Sequence, residues 1–290
     1  MFKLRGGFMK SNTKAWPRRI LTTAAITVLL ASGLAYSQQP ATGKKAPAAT
    51  AVTESQARAS AILMRMADFL SGAPRFSFNV RGGYDAVQTS GQKIEFGESR
   101  KVTLSRPDRL RVEGERSDGA KVLTVFTGKE IVMVDTASNV YATEPQPGGL
   151  DESIVHFVKD LGIRMPLAML LVSQLPAELK NRVRSVDYVE KTTIQGAASH
   201  HLAARTDTVD FQVWVADGDK PLLQRVLITY KKAKGEPQFW ADFSGWDMAP
   251  AIVDATFQAK PPEGAQKVAF AAQLARASSA RKPTAEKGAK

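Results

Sequence analysis

From Arg75 onward the chain alternates. Phe76, Phe78 and Val80 share one parity; Arg75, Ser77, Asn79 and Arg81 share the other. A period of two is the mark of a half-buried strand. Segments of the same kind recur at short intervals: QKIEFGESRKVTLS, DRLRVEGE, KVLTVFTG, EIVMVD and NVYATE. The links between them, such as SRPDR, RSDG, TGKE and DTASN, are turn-like and too short for a crossover helix, so an antiparallel meander is expected. Gly82-Gly83, inside the first strand, is expected to mark a bulge. One helix precedes the meander. ESQARASAILMRMADFL sets Ala59, Ile62, Leu63, Met66, Phe69 and Leu70 on one face, and Gly72 and Pro74 end it.

The rhythm breaks at PGGLDESIVHFVKDLGI, which reads as a helix with an acidic start and an apolar face of Leu150, Ile154, Phe157, Val158 and Leu161. MPLAMLLVSQLPAELKNRV follows. Met165, Leu167, Met169, Leu170, Leu171 and Val172 would cover all sides of a short helix. Such a helix is buried or faces something apolar that is not protein. Strands then resume through RVRSVDYVEKTTIQG, ASHHLAART, the hairpin VDFQVWVADGDKPLLQRVLITYK and PQFWADFSGWD. The hairpin is apolar on both faces. Val209, Phe211, Val213 and Val215 oppose Trp214; on the return, Leu222, Val226, Ile228 and Tyr230 oppose Leu223 and Leu227. The final stretch, IVDATFQAKPPEGAQKVAF, has a helical or extended start.

The layout is helix, meander, apolar helical insert, meander. It does not alternate strand with helix, which argues against a doubly wound sheet. A long antiparallel sheet must curl or close. The expected fold is mainly β with a helical lid (α+β): a curled, incompletely closed antiparallel barrel around covering helices. The surplus of apolar side chains suits a hydrophobic ligand in the concavity. The expected cavity residues are Met165, Leu167, Met169, Leu170 and Leu171 of the insert, with Phe76, Phe78, Val125, Trp214 and Leu223 from strands. On the hairpin, Trp214 with Leu223 and Leu227 is the face expected to line it.

Composition narrows this further. The chain has 290 residues, is 43% hydrophobic and lacks cysteine, which excludes disulfides, thiolate metal sites and a cysteine nucleophile. A net charge of +12 suggests nucleic acid. The charge, however, sits at the ends. Six Lys/Arg precede residue 37, Lys44 and Lys45 follow, and the last twenty residues add five against Glu286, so residues 46–270 are neutral overall. No nucleic-acid partner is expected. The leading cations precede an apolar run, Ile20 to Ala35, that ends in AYS. This reads as a secretory signal peptide over 1–37, cleaved near Ser37 or, as a second choice, after Ala35. An uncleaved membrane anchor is the alternative, and the run is short for one. Residues 38–53 read as a flexible Pro/Ala/Thr-rich linker, 54–270 as the folded domain and 271–290 as a disordered basic tail.

Catalytic signals are thin. His200 and His201 are adjacent, so on a strand they point to opposite faces and cannot share a metal. His156 has no motif around it. Asp217-Gly218-Asp219 resembles the start of a calcium loop, but KPLLQ supplies no later carboxylate, and a hairpin turn is expected. RGGYD and QPGGLDE lack the spacing of phosphate loops, and no nucleophile elbow occurs. No catalytic residue, metal site or cofactor is expected.

The order HHLA, VDFQVWVADGDKPL, VLITYK, PQFWADFSGW and PPEGA, with NVYATEPQPGGLDE and RMPLAMLL in the centre, resembles a family of predicted periplasmic proteins of unknown function. The similarity spans about residues 55–270 and implies the fold of the lipoprotein carriers LolA and LolB and of LppX: an unclosed barrel with helices as a lid over a hydrophobic cavity. The implied role is a non-enzymatic periplasmic carrier or binder. Its partners would be a lipid or the acyl chains of a lipoprotein, with an envelope protein as a further candidate and transient membrane contact. The alternative is a sensor or scaffold of the same fold that binds a partner protein. The carriers' internal arginine has no motif-anchored match here. Arg109 and Arg111 are strand candidates, and no functional residue carries over.

Overall fold

A computed structural model describes residues 53–270. The expected signal peptide, the linker as far as residue 52 and the basic tail lie outside the described residues. Helix α1 (Glu54–Gly72) starts in a capping box: the Thr53 hydroxyl accepts from the Gln56 amide, and the Gln56 side chain accepts from the Thr53 amide. It buries Ala59, Leu63, Met66, Ala67 and Leu70.

Six strands follow: β1 (Arg75–Val87), β2 (Lys93–Ser105), β3 (Arg109–Arg116), β4 (Lys121–Thr127), β5 (Glu130–Asp135) and β6 (Val140–Pro145). After α2 (Leu150–Val155), a π-helical turn (His156–Asp160), a 3-10 turn (Ala168–Leu171) and α3 (Leu175–Arg182) come β7 (Ser185–Ile194), β8 (Ala197–Arg205), β9 (Val209–Ala216), β10 (Leu223–Tyr230) and β11 (Gln238–Asp247). A 3-10 turn (Asp254–Phe257) and the two-residue β12 (Gln266–Lys267) close the described chain. All strands join one sheet in the order β12-β6-β5-β4-β3-β2-β1-β11-β10-β9-β8-β7. Pairing is antiparallel except between β12 and β6. β7 and β12 are the two outer strands of this order, so the sheet is unclosed.

The inner, concave face carries the main core. α1 packs on it chiefly against β7, with α3 and the turn Ala168–Leu171 alongside. Further along this face, Phe157 of the π-helical turn meets Phe126 edge-on, with centroids 5.4 Å apart. The outer face has a smaller covering. There the turn Asp254–Phe257 packs on β3 and β4, and Arg111 donates to the Thr256 and Gln258 carbonyls. Beyond it the chain rounds the β6 edge through β12 and returns Phe270 to the inner core beside Phe157.

Three expectations need correction. Gly82 and Gly83 form no bulge, because β1 and β2 stay in register from Arg75↔Ser105 to Val87↔Lys93. Gly82 is required by close approach instead: a Cβ there would lie 2.7 Å from the Trp240 carbonyl. The second correction concerns the hairpin. The β9–β10 register shifts between Leu223 and Arg225, and this irregularity returns Leu223 to the face of Val213, Val215 and Val226. Third, the insert is no continuous helix. Gly162 takes φ +69°, Pro166 interrupts, and Leu167 sits in the left-handed region at φ +65°. The result is an extended strap with one 3-10 turn.

Candidate functional site

Strand alternation defines what the concave face offers. β1 presents Phe76, Phe78 and Val80, and β2 presents Glu98, Arg100, Val102 and Leu104. On β3 and β4, Leu110 pairs with Phe126 and Val112 with Thr124. β11 adds Phe239, Ala241 and Phe243, all buried. The strap, residues 163–172, lies across this surface. Among the described residues, its Met165, Leu167 and Leu171 bound a cleft of about 30 Å³ against Phe78, Val102 and Phe239. A second cavity of about 150 Å³ adjoins it, walled by Val112, Val122, Met133, Phe157, Ile163 and Met165. Glu98, Arg100, Val112 and Met165 border both.

The ten sequence candidates divide. Phe78, Met165, Leu167 and Leu171 line the clefts. Phe76 and Leu223 are buried in the same core, and Met169 and Leu170 pack against it without lining either cleft. Val125 and Trp214 are elsewhere. Val125 has the opposite parity to Phe126. It pairs with Arg111 and Val132 on the outer face, where the Asp254–Phe257 turn packs. Trp214 also faces outward. It stacks on His201, with centroids 4.1 Å apart and planes 11° apart, and Arg225 lies over it. Leu227, cross-strand from Gln212 and Trp240, shares that outer face.

Several residues that sequence reasoning passed over are prominent. Arg100 donates to Glu98 at 2.8 Å, and this pair stands amid apolar wall on the inner face. Its parity with Val102 and Leu104 was the available signal. Arg109 and Arg111, the arginines weighed from sequence, instead meet the C-terminal segment on the outer face. Trp246 closes the aromatic floor with Phe76, Phe78 and Phe243. Burial pushes the Tyr230 hydroxyl pKa up, and the nearby charge of Arg164 opposes that rise.

The strap is tied at its ends. Asp151, in the first turn of α2, accepts from the Ser173 amide at 3.0 Å and from the Ser173 hydroxyl, with Arg106 at 3.8 Å. At the other end His156 meets Asp160 at 2.9 Å and Glu144 at 3.5 Å. Between these ties, the backbone bonds of the strap are local: Ile163 to Phe157, Ala168 to Met165 and Leu170 to Leu167.

His200, His201 and the β9–β10 turn have structural partners. His200 bridges Tyr188 at 3.2 Å and Asp217 at 3.1 Å, while His201, on the other face, meets Gln212 at 2.9 Å. Asp217–Asp219 lies in the β9–β10 turn, and the Gly218 carbonyl accepts from Arg65 of α1. Among the described residues no group of three His, Asp or Glu could hold a metal ion. No described helix is long and apolar enough to cross a membrane. A wider groove of about 530 Å³ on the outer face of β1–β4 carries the charged Arg81, Lys101, Glu113 and Lys121 among its lining residues.

The family model described as "Predicted periplasmic protein (DUF2092)" matches residues 59–271. The chain belongs to this family. The DUF2092 assignment covers nearly all of the described domain and places the protein in the periplasm. Similar solved structures include the Mycobacterium tuberculosis lipoprotein LppX, at 14% identity and TM-score 0.44, covering 69% of this chain and 100% of that one. LprF from Mycobacterium bovis follows at 15% and 0.45, covering 68% and 95%. An uncharacterized conserved protein from Thermus thermophilus stands at 14% and 0.43, covering 73% and 99%. No curated protein matches. The unclosed sheet of this DUF2092 member is read from its own strand pairing.

Proposed function

We propose that the protein is a non-enzymatic periplasmic carrier that holds a lipid, or the acyl chains of a lipidated protein, between the strap and the concave face. One observation carries this reading. Among the described residues, the strap from 163 to 172 has no backbone hydrogen bond to the sheet; Met165, Leu167 and Leu171 hold it there by apolar contact. An acyl chain offers the same kind of contact at about 0.8 kcal/mol per buried methylene. It can therefore replace the strap on the sheet without leaving a polar group unpaired. The existing clefts are small, so loading a long chain requires the strap to lift between its two tied ends.

Native mass spectrometry of the protein isolated from its own periplasm tests this. Adducts of lipid mass that disappear on organic extraction are expected. Adduct-free protein that also fails to take up added lipid would end the carrier reading.

A second reading, a scaffold for a partner protein, is favoured by the β7 edge. Among the described residues β7 has a strand, β8, on one side only, and its Val189, at the irregularity between Tyr188 and Glu190, is 50% exposed. An open edge is a template for an added strand. A pull-down that recovers one stoichiometric protein and no lipid supports this reading over the first.

A further inference from the structure

We propose that the cavity at Arg100 is the head-group end of the ligand site and takes an anion, a carboxylate or phosphate borne by the acyl chain. This rests on the reading of the concave face as an apolar ligand site, and it adds the charge and orientation of what binds there.

Arg100 and Glu98 hold inward positions on β2, where a purely structural core calls for apolar residues. Their side chains are only 23% and 13% exposed. A half-buried ion pair gains little net stability over apolar side chains that fill the same space, so packing alone gives no reason for it. It stands where the two clefts meet, the apolar cleft on one side and the larger cavity on the other. The Arg100 guanidinium directs Nη2 to Glu98, which leaves donors of a five-donor fork for a ligand.

The charge around the cavity is unbalanced. Arg100 meets Glu98 and Arg116 meets Asp118, both at hydrogen-bond distance. Arg164, in the strap, has no carboxylate within 4.0 Å among the described residues and lines the same cavity. Glu115, which also lines the cavity, pairs with Lys121 at 3.7 Å. The exposed Arg164 is therefore the charge left over at the mouth, near the half-buried Arg100, where an anion is attracted more strongly than in open water.

Gly114 supplies the room. It lies cross-strand from Arg100 on the inner face, without a left-handed backbone. A Cβ there would meet only the Val122 carbonyl at 3.6 Å and Arg100 Cγ at 3.9 Å, which are ordinary contacts. Neither backbone nor neighbours require glycine. A glycine inside a strand costs stability and marks a place where something else approaches the backbone. Here that place is the floor of the cavity beside the guanidinium. The acyl tail then runs from Arg100 toward Phe78 and Phe239, beneath Leu167 and Leu171.

Calorimetric titration of the delipidated protein with oleate, 1-oleoyl lysophosphatidate and methyl oleate tests the assignment. At least one anion is expected to bind about tenfold or more tighter than the neutral ester, as for a charge-assisted contact. The tighter anion identifies carboxylate or phosphate as the head group. Arg164→Met should narrow the margin. The paired change Arg100→Met with Glu98→Gln should remove it while the ester still binds; if that variant does not fold, Arg164→Met decides. Equal affinity for ester and anions overturns the head-group assignment and leaves the apolar site standing. A margin that survives the substitutions places the anion elsewhere and also overturns it. Failure of all three to bind removes the carrier reading together with this inference.

Discussion

The Trp246 ring lies against Phe78, with centroids 4.4 Å and planes 34° apart, and its indole N–H donates to the Leu223 carbonyl at 2.9 Å. Plain alternation from Phe243 would turn Trp246 away from the core. It arrives there because β11 has one residue more than β1 between the pairs Ser77↔Asp247 and Asn79↔Ser244, a bulge at Gly245.

Gly245→Ala is therefore expected to destabilise the fold by about 1–2 kcal/mol, the cost of a side chain in the left-handed region. Position 245 has φ +60°, and a Cβ would lie 2.7 Å from Asn79 Nδ2. Urea unfolding measures the change, and tryptophan emission should shift red as Trp246 loosens. A variant as stable as the parent would show that the bulge tolerates a side chain.

Asp151→Ala should free one end of the strap. The Ser173 amide loses its acceptor, and the Arg106 guanidinium, already partly desolvated, loses its nearest carboxylate. Amide hydrogen exchange over residues 163–173 is expected to rise about tenfold, as for a local opening that becomes about 1.4 kcal/mol easier. Protection in β1 and β2 should hold. Unchanged exchange in the strap would show that apolar contact alone fixes it.

The two faces of the sheet predict opposite outcomes for ligand uptake. Trp214→Ala, on the outer face, should leave acyl-chain binding within about twofold, since surface changes away from a site contribute little. Leu167→Asp, in the strap over the inner face, should weaken it about tenfold or more, because a carboxylate would have to be desolvated in the apolar cleft. Displacement of a bound neutral dye reports both. Loss of binding in Trp214→Ala would return that side chain to the site.

Asp217 carries a pH signature. Its carboxyl group is held below its ordinary range, chiefly by the hydrogen bond from Lys191, with His200 contributing. A lowered folded value means that the contact's stabilisation is present above the unfolded value of about 3.9 and is lost as pH falls through the folded one. Carboxyl-carbon NMR titration should find the Asp217 midpoint below about 3.9, and Lys191→Met should move it upward. An unmoved midpoint would assign the shift to another group.

Most strands were legible because one face of each is buried and the period of two is clean. β2 through β6 fall within a residue or two of the segments read from sequence. Legibility failed where both faces are covered. KVLTVF is apolar on both parities because Phe157 covers one face and the Asp254–Phe257 turn covers the other, so Val125 and Phe126 could not be ranked by pattern. Leu223 parts from Trp214 and Leu227 through a register shift, which inverts parity while leaving no mark in LLQRV. The strap read as a helix because Leu, Met and Ala favour one. Gly162 and Pro166 argued otherwise, and tertiary contact decided. Glu98 and Arg100, by contrast, were readable as polar residues at inward positions.

The C-terminal segment that rounds β6 also limits self-association. Gln266 and Lys267 occupy part of that edge through a parallel pairing, which leaves β7, at ten residues, as the longer open edge among the described residues. Two copies joined edge to edge would then meet β7 against β7 about a two-fold axis. Among the described residues, the other end of each sheet offers only the two-residue β12 and the remainder of β6, which ends at Pro145, a short edge that gives a third copy little to pair with.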